Sequence, residues 1–238
     1  MRGDGPVWLV LPTYNEADNV EAIVDAALES LPDTSRVLLV DDASPDGTGE
    51  LADRLAAADE RVEVLHRPGK RGLGPAYVAG FTMALDRGAG LVVQMDADFS
   101  HDPADLPRLI AAAADADLVL GSRYVEAGAV AEWGVLRRAV SRGGSRYARA
   151  ALGLDIRDLT GGFKVFHREV LEAIDLTSLG SLGYAFQVET TYRAIRRGFR
   201  VEEVPIVFHD RRVGESKMSK RIVLEAAWRV PAMRLRGR

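Results

Sequence analysis

The feature that most constrains the fold is an alternation of short apolar runs with longer segments of helical spacing across the first 121 residues. The runs have the length and the continuous hydrophobicity of strands that are buried on both faces of a sheet. Strands separated by helix-length segments form right-handed βαβ crossovers, so we expect a mostly parallel sheet. The predicted strands are 7–12, 36–42, 62–67, 91–98 and 118–123, and the predicted helices are 19–31, 48–59, 72–88 and 105–116.

The second half of the chain has a less regular pattern. Helices are predicted over 132–153, 184–198 and 218–235, and strands over 163–168 and 199–210. The first of these helices is amphipathic, because its apolar Trp133, Leu136 and Val140 stand beside a run of arginines. No repeat, low-complexity tract or linker interrupts the chain. We therefore predict one doubly wound α/β domain over residues 1–238, with helices on both faces of the sheet and a C-terminal helix.

Composition and charge exclude several classes of protein. With 47% apolar and 28% charged residues, the chain has the composition of a soluble globular protein. The absence of cysteine excludes disulfides, thiolate zinc sites and a cysteine nucleophile. The net charge of −4 argues against nucleic acid as a partner. No apolar run reaches the roughly 18 residues that a membrane span needs, so a soluble or peripheral protein is predicted.

Positive charge is concentrated in three short segments of this acidic chain, residues 137–149, 209–221 and 227–238. Such local basic runs indicate an anionic partner, for example phosphates or a lipid surface. They are equally typical of solvated helix faces, and the sequence leaves both interpretations open.

Polar residues follow the predicted strands, at the edge where open α/β sheets bind ligands. The polar segments at the ends of the five strands are, in chain order, residues 12–16, 41–47, 69–74, 96–98 and 121–123. The glycine-rich segment GKRGLG, residues 69–74, matches neither the dinucleotide-binding fingerprint nor the P-loop. It either begins a helix or lines a nucleotide with its glycines and its two cations.

The most specific chemical signal is the pair Asp96 and Asp98 at the end of the fourth strand. On an extended strand, residues i and i+2 point the same way. Carboxylate oxygens in that arrangement suit Mg²⁺ or Mn²⁺, which bind few protein carboxylates together with substrate phosphates. The alternative is that one aspartate caps the next helix and the other is solvated.

Neighbouring residues favour the metal interpretation of this pair. Asp102 precedes Pro103, so it is the better candidate for the helix cap, with proline at the first helical position. Ser100 is either an additional ligand or a neighbour of the metal site. His101 is predicted to be a polar neighbour, since carboxylate–phosphate sites seldom use imidazole.

Four motifs in this order resemble family 2 glycosyltransferases of the GT-A fold: PTYNE (12–16), DDASPDGT (41–48), MDADFSHDP (95–103) and GSRY (121–124). The later motifs RDLTGGFK (157–164) and GYAFQVE (183–189), with the spaced Arg, Gly, Ser and Lys of 208–217, narrow the resemblance to polyprenyl-phosphate (dolichol-phosphate) mannose synthases. The resemblance covers nearly the whole chain. It implies a nucleotide-sugar half over about 1–125 and an acceptor-binding, membrane-facing half over about 126–238.

The resemblance also implies roles for residues that match the family's motifs. The residues implied for donor binding are Pro12, Tyr14, Glu16, Asp41, Asp42, Lys70, Asp96 and Ala97. The residues implied for metal binding are Asp96 and Asp98, together with Ser100, which stands where some members of the family have Gln. The residues implied for binding the acceptor phosphate are Arg123, Arg137 and Ser141. The catalytic set is Asp96, Asp98 and Arg123, together with Arg211 and Lys217 on a mobile loop that closes over the donor.

Glu189 and Asp158 are further candidates for the site. Glu189 stands where related enzymes place a general base. Glu189 can equally be interpreted as an ordinary helix carboxylate, or as one that orients an arginine or the sugar. A phosphate monoester acceptor is already a dianion near neutral pH, so it needs no base, whereas a sugar hydroxyl does.

The reaction that the resemblance implies is transfer of mannose from GDP-mannose to a polyprenyl phosphate, with inversion and with Mg²⁺ or Mn²⁺ as cofactor. It further implies peripheral binding at the cytoplasmic face of a membrane, with a separate membrane-anchoring protein as a partner and no nucleic acid. The same fold with UDP-glucose or another donor remains an alternative, as does a catalytically silent protein bound to the membrane surface.

Overall fold

A computed structural model describes residues 5–131, 134–179, 183–210 and 229–234. The strands are β1 Val7–Thr13, β2 Arg36–Asp41, β3 Val62–His66, β4 Leu91–Gln94, β5 Leu118–Ser122, β6 Ala129–Val130, β7 Lys164–His167, β8 Val201–Pro205 and β9 Val207–Phe208. The helices are α1 Val20–Ser30, α2 Thr48–Ala58, α3 Leu73–Asp86, α4 Leu106–Ala112, α5 Val135–Leu152, α6 Arg168–Ala173 and α7 Gly183–Arg196. Residues 229–234 are also helical.

Seven strands form the central sheet in the order β3-β2-β1-β4-β7-β5-β8. The first four strands of that order pair in parallel, and so do β5 and β8. β7 runs antiparallel to both of its neighbours, β4 and β5. The prediction of a mostly parallel sheet is therefore confirmed, and among the described strands β7 is reversed, between β4 and β5.

Alternate residues of the strands point to opposite faces, which divides the core into two layers. On β1, Val10 packs into the cluster that contains Phe81 of α3 and Phe186 of α7. Its neighbour Leu9 packs into the other cluster, with Ile23 of α1 among its members. Helices therefore cover both faces of the sheet, as the predicted doubly wound fold requires.

The fourth strand is shorter than predicted, because it ends at Gln94 and does not continue to Asp98. Local turn bonds replace the sheet ladder beyond that point: the Ser100 N–H donates to the Asp98 carboxylate at 3.0 Å, and Phe99 has a φ of 61°. The prediction that both aspartates lie on an extended strand, and so point the same way, is therefore wrong. Both residues instead lie in the segment that follows β4.

The strand predicted over 199–210 is divided into β8 and β9. β9 leaves the main sheet and pairs in parallel with β6, so that Val207 stands opposite Ala129 and Phe208 opposite Val130. This small sheet was not predicted, since two-residue strands leave no periodic signal.

Several predicted features lie partly or wholly outside the described residues. Trp133 is one of them, and the C-terminal helix is described only over 229–234. Among the described residues, no helix combines the length and apolar character needed to cross a bilayer. The division into a donor half and an acceptor half stays a prediction.

Candidate active site

The loops that follow β1, β2 and β4 meet at the carboxyl edge of the sheet, and each contains a residue in the left-handed region. Asn15 and Ala43 both have a φ of 56°, and Phe99 has a φ of 61°. A non-glycine residue in this region is strained, and such strain concentrates at functional sites. The strained loops therefore mark this edge as the candidate site.

Asp41 shapes the loop after β2. Its buried carboxylate accepts bonds from the Ser44 hydroxyl at 2.6 Å, from the Ser44 N–H at 3.1 Å and from the Thr13 hydroxyl at 3.2 Å. It thus ties the ends of β1 and β2 together. Contact between this carboxylate and a donor nucleotide stays a prediction.

Asp42 holds the glycine-rich segment against the sheet edge. Its buried carboxylate pairs with Arg67 and accepts backbone N–H bonds from Arg71 at 3.1 Å and from Gly72 at 3.3 Å. Gly72 has a φ of 97° and is the N-cap of α3. The interpretation of this segment as a helix start is therefore confirmed.

Other residues implied for the donor lie on the same edge. Lys70 is exposed, and its ammonium lies 3.7 Å from the centroid of the Tyr14 ring, so the structure brings these two residues together. Glu16 is buried and accepts a bond from the Asn19 amide at 2.9 Å. Pro12 lies within β1, and Ala97 is buried between the two aspartates of the predicted metal site.

Asp96 is held from two sides. The Tyr77 hydroxyl donates to its Oδ1 at 2.8 Å, and its own N–H donates to Nδ1 of His101 at 3.3 Å. A Cβ atom added to Gly162 would lie 3.4 Å from its Oδ2. The sequence did not predict that Tyr77 or Gly162 would contact Asp96. Neither the pattern of α3 nor that of residues 157–164 distinguishes these two residues from ordinary core residues.

His101 is buried and lies at the centre of the site. Its ring centroid lies 5.1 Å from that of Phe163 and 5.3 Å from that of Phe208. Burial lowers the pKa of His101, so the ring is neutral at pH 7; the charges of Asp96 and Asp98 oppose the shift only in part. As predicted, His101 is a polar neighbour of Asp96.

The two aspartates of the predicted metal site lie in one short segment that follows β4. Asp98 and Ser100 are buried, whereas Asp96 is partly exposed. Burial raises the pKa of Tyr77 well above its usual value, and both Asp96 and Asp98 add to that shift through their charges. The charge of each carboxylate therefore acts on the Tyr77 phenol, and Asp96 is hydrogen-bonded to it.

The carboxylate pair has the chemistry of a divalent-cation site. Carboxylates are the hard oxygen ligands that Mg²⁺ and Mn²⁺ prefer. Within the part of the chain that the structure describes, no three side chains of His, Asp or Glu are grouped so that they could hold a metal ion. Asp96 and Asp98 would therefore hold such a cation only with further oxygens, which the phosphates of a substrate supply.

Arg123 and Asp158 form a buried ion pair across the same edge. The Arg123 Nε and Nη2 donate to the two oxygens of Asp158 at 2.7 and 2.8 Å, and the Arg123 N–H donates at 3.0 Å. Burial by itself would raise the pKa of Asp158, but the charge and hydrogen bonds of Arg123 outweigh it and lower the pKa. Both residues were predicted from the sequence as members of the site, but their pairing was not.

A second carboxylate supports the loop that carries Asp158. Glu203 on β8 accepts bonds from the Ser122 hydroxyl at 2.7 Å and from the backbone N–H groups of Arg157 and Asp158 at 2.7 and 2.8 Å. Arg123 is therefore rigidly oriented, with two of its donor nitrogens committed to Asp158. Contact between Arg123 and an acceptor phosphate stays a prediction.

The other residues implied for the acceptor lie one helical turn apart on α5. Nη1 of Arg137 lies 2.9 and 3.0 Å from the two carboxylate oxygens of Asp210, and the Tyr124 hydroxyl donates to Ser141 at 2.6 Å. These bonds join α5 to the ends of β5 and β9. Arg211 and Lys217, implied for the mobile loop, lie outside the described residues.

Glu189 lies on α7 and is largely buried. Its Oε1 is 2.5 Å from Nη2 of Arg193, one turn along the helix. Arg193 in turn donates to the carbonyls of Ile174 and Ser178. These contacts favour the interpretation of Glu189 as a carboxylate that orients an arginine.

Lys164 is a buried lysine that was not individually predicted from the sequence. Its ammonium donates to the Gln187 carbonyl at 2.6 Å and to the hydroxyls of Thr190 and Thr191, both at 3.1 Å. Burial lowers the pKa of Lys164 to about 7, although the charge of Asp158 opposes the shift. Lys164 thus fastens α7 to the centre of the sheet.

Comparison with protein families matches residues 8–175 of the chain to the model described as glycosyl transferase family 2. A polyprenol monophosphomannose synthase from Mycolicibacterium smegmatis is 49% identical over 232 residues, which cover 97% of this chain and 87% of that protein. An undecaprenyl-phosphate mannosyltransferase from Micrococcus luteus is 48% identical over 232 residues, covering 98% of this chain and 95% of that protein.

Solved structures share the fold. A glucosyl-3-phosphoglycerate synthase from Mycobacterium tuberculosis, in complex with Mn²⁺, UDP and glucosyl-3-phosphoglycerate, superposes with a TM-score of 0.67 at 20% identity, covering 99% of this chain and 81% of that one. The mannosyltransferase PcManGT from Pyrobaculum calidifontis, in complex with GDP-Man and Mn²⁺, gives a TM-score of 0.60 at 20% identity, covering 98% and 74%. These likenesses confirm the predicted architecture.

Proposed function

Because the chain belongs to glycosyltransferase family 2, we propose that it transfers mannose from GDP-mannose to a polyprenyl phosphate with inversion. The names of its two close relatives support both the sugar and the class of acceptor, since each names a polyprenyl lipid and a mannose transfer. Neither name specifies the nucleotide of the donor, so GDP is part of the proposal.

The observation that carries the proposal is the position of His101 between two charged pairs. Its Nδ1 accepts the Asp96 N–H at 3.3 Å, and its ring lies 5.3 Å from the Phe208 ring, whose centroid is 5.2 Å from the guanidinium carbon of Arg123. A pair of carboxylates suited to a metal diphosphate thus lies close to an oriented arginine suited to a second phosphate. A transferase that joins a sugar nucleotide to a phosphate acceptor needs these two sites side by side.

The chemistry follows from the charge of the acceptor. A phosphate monoester has a second pKa of about 6, so its oxygen attacks the anomeric carbon without a general base. The new bond joins that oxygen to the sugar, the bond to the diphosphate breaks, and a single displacement inverts the configuration. The residues implied for the acceptor, Arg123, Arg137 and Ser141, would orient the dianion, which is catalysis by positioning.

Asp96 and Asp98 would hold Mg²⁺ or Mn²⁺, with Ser100 beside them as a further candidate. The cation supplies electrostatic stabilisation of the charge that develops on the leaving diphosphate. The Mn²⁺ in the two structures of the same fold belongs to those proteins. For this chain the proposed metal rests on the carboxylates of Asp96 and Asp98.

A transfer assay tests this proposal directly. We expect protein, Mn²⁺ and labelled GDP-mannose to convert polyprenyl phosphate into an organic-extractable product that mild acid cleaves. Unphosphorylated polyprenol is the matched control and should give no product, because it lacks the dianionic nucleophile. Faster transfer from UDP-glucose than from GDP-mannose would overturn the donor assignment, and no transfer from either donor would favour a silent binding protein.

We also propose that α5 binds a membrane surface peripherally, at the cytoplasmic face and beside a separate anchoring protein. Val140 and Tyr147 lie two helical turns apart on α5, and their side chains are 49% and 45% exposed. The arginines at 142, 146 and 149 on the same helix are exposed as well. Apolar and cationic groups on one exposed helix are typical of interfacial binding to anionic lipids.

The double variant Val140→Asn with Tyr147→Asn should bind anionic vesicles several-fold more weakly, because it removes the apolar contacts and keeps the arginines. Co-sedimentation with phosphatidylglycerol-containing vesicles measures this change. Val207→Asn is the matched control, since Val207 is 41% exposed but lies on β9. Equal vesicle binding by the wild-type protein and the double variant would contradict the assignment of α5.

A further inference from the structure

A tyrosine outside every motif of the sequence contacts the predicted metal site. The Tyr77 hydroxyl on α3 donates to Oδ1 of Asp96 at 2.8 Å. Within the described part of the chain, Asp96 forms no ion pair with a lysine or an arginine, and this phenol is the side-chain donor to its carboxylate. The bond is charge-assisted, because it joins a neutral O–H group to an anion.

The phenol has little freedom to turn away from Asp96. Its ring is fully buried and stacks on Phe81 at 5.6 Å and on Phe186 of α7 at 6.0 Å between centroids. A phenol is protonated at neutral pH, so the Tyr77 hydroxyl is the donor in its bond to Asp96. Tyr77 therefore presents a fixed hydrogen-bond donor.

The other contacts of Asp96 complete its orientation. Its N–H donates to Nδ1 of His101 at 3.3 Å, which fixes the backbone at this position. Gly162 approaches from the opposite side, where a Cβ atom would lie 3.4 Å from Oδ2 of Asp96 and 3.3 Å from Cε1 of His101. Of these contacts, the hydroxyl of Tyr77 is the one that acts on the carboxylate by a directional bond.

We propose that Tyr77 is a positioning residue that orients the Asp96 carboxylate for a divalent cation, by engaging one oxygen and leaving the other to the metal. The assignment rests on the proposed function, which places a cation at Asp96 and Asp98. Hydrogen bonds to metal-ligating carboxylates commonly change metal affinity 10–100-fold, although these partners never touch the metal.

Tyr77→Phe tests the assignment, because it removes the hydroxyl and keeps the stacked ring. We expect Mn²⁺ to bind about tenfold more weakly in the presence of GDP, as measured by the electron paramagnetic resonance signal of free Mn²⁺. Phe81→Leu is the matched control: it loosens the stack and lowers the melting temperature but leaves the hydroxyl, so Mn²⁺ affinity should stay near that of the wild type.

A double variant separates positioning from a general loss of structure. If Tyr77 acts through Asp96, removing the hydroxyl in an Asp96→Ala background should not weaken Mn²⁺ binding any further. A Tyr77→Phe protein with wild-type Mn²⁺ affinity would overturn the assignment, and so would an equal loss of affinity in Phe81→Leu. If the wild-type protein and Asp96→Ala bind Mn²⁺ equally, the metal site of the proposed function itself is wrong.

Discussion

Replacing Asp98 with asparagine is expected to lower the rate of mannose transfer about a thousandfold, whereas the protein keeps its fold. The amide keeps the shape of the side chain, and its oxygen can still accept the 3.0 Å bond from the Ser100 N–H. It lacks the negative charge that a divalent cation needs at this buried position. A thousandfold loss corresponds to about 4 kcal/mol in the activation free energy.

Asp102→Asn is the matched control for this experiment, since it makes the same change four residues away. Asp102 is exposed and accepts the Ala104 N–H at 2.9 Å as the cap of the turn that precedes α4. Asparagine caps helices as well as aspartate does, so both rate and melting temperature should stay near those of the wild type. An Asp98→Asn enzyme that retains the rate of this control would show that the metal assignment is wrong.

Replacing Asp158 with alanine should lower the free energy of unfolding by about 3–5 kcal/mol, because it leaves the Arg123 guanidinium buried without its carboxylate. The side chains of Arg123 and Asp158 are 4% and 0% exposed, so solvent does little to screen the remaining charge. The loss should appear as a lower urea midpoint. The same variant should also weaken transfer, since Arg123 loses its orientation.

The exposed ion pair between Arg149 and Asp155 provides the matched control. The Asp155 side chain is 91% exposed, so Asp155→Ala should cost less than about 1 kcal/mol. Equal urea midpoints for Asp155→Ala and Asp158→Ala would contradict the assigned strength of the buried pair. The double replacement of Arg123 by Met and Asp158 by Leu should recover part of the stability without recovering transfer, because similar-sized apolar side chains leave no buried charge.

The local pattern of the chain was sufficient to predict most elements. Continuous apolar runs identified the parallel strands, and polar residues after them identified the edge that holds the candidate site. The cap at Asp102 is confirmed, because cap chemistry depends on residues only two positions apart. The resemblance to family 2 glycosyltransferases is confirmed by relatives that match nearly the whole chain.

The local pattern failed where pairing partners are distant. β7 stands between β4 and β5, with Val165 opposite both Val93 and Val119. A short apolar run has the same appearance whether its neighbours are parallel or antiparallel, so the reversal could not be predicted. The early end of β4 was not predicted for a related reason. A turn bond between Ser100 and Asp98 forms in place of the strand pairing that the apolar residues alone would favour.

The sequence by itself determined which chemical groups stand at the strand ends: two carboxylates after the fourth strand, an arginine after the fifth, and a glycine-rich helix start after the third. Only the tertiary structure decided which groups contact one another. The bonds from Tyr77 to Asp96, from Arg123 to Asp158 and from Lys164 to α7 join residues 19 to 35 positions apart. Such contacts depend on how helices and loops pack over the sheet, and the periodicity of a single segment contains no information about its packing partner.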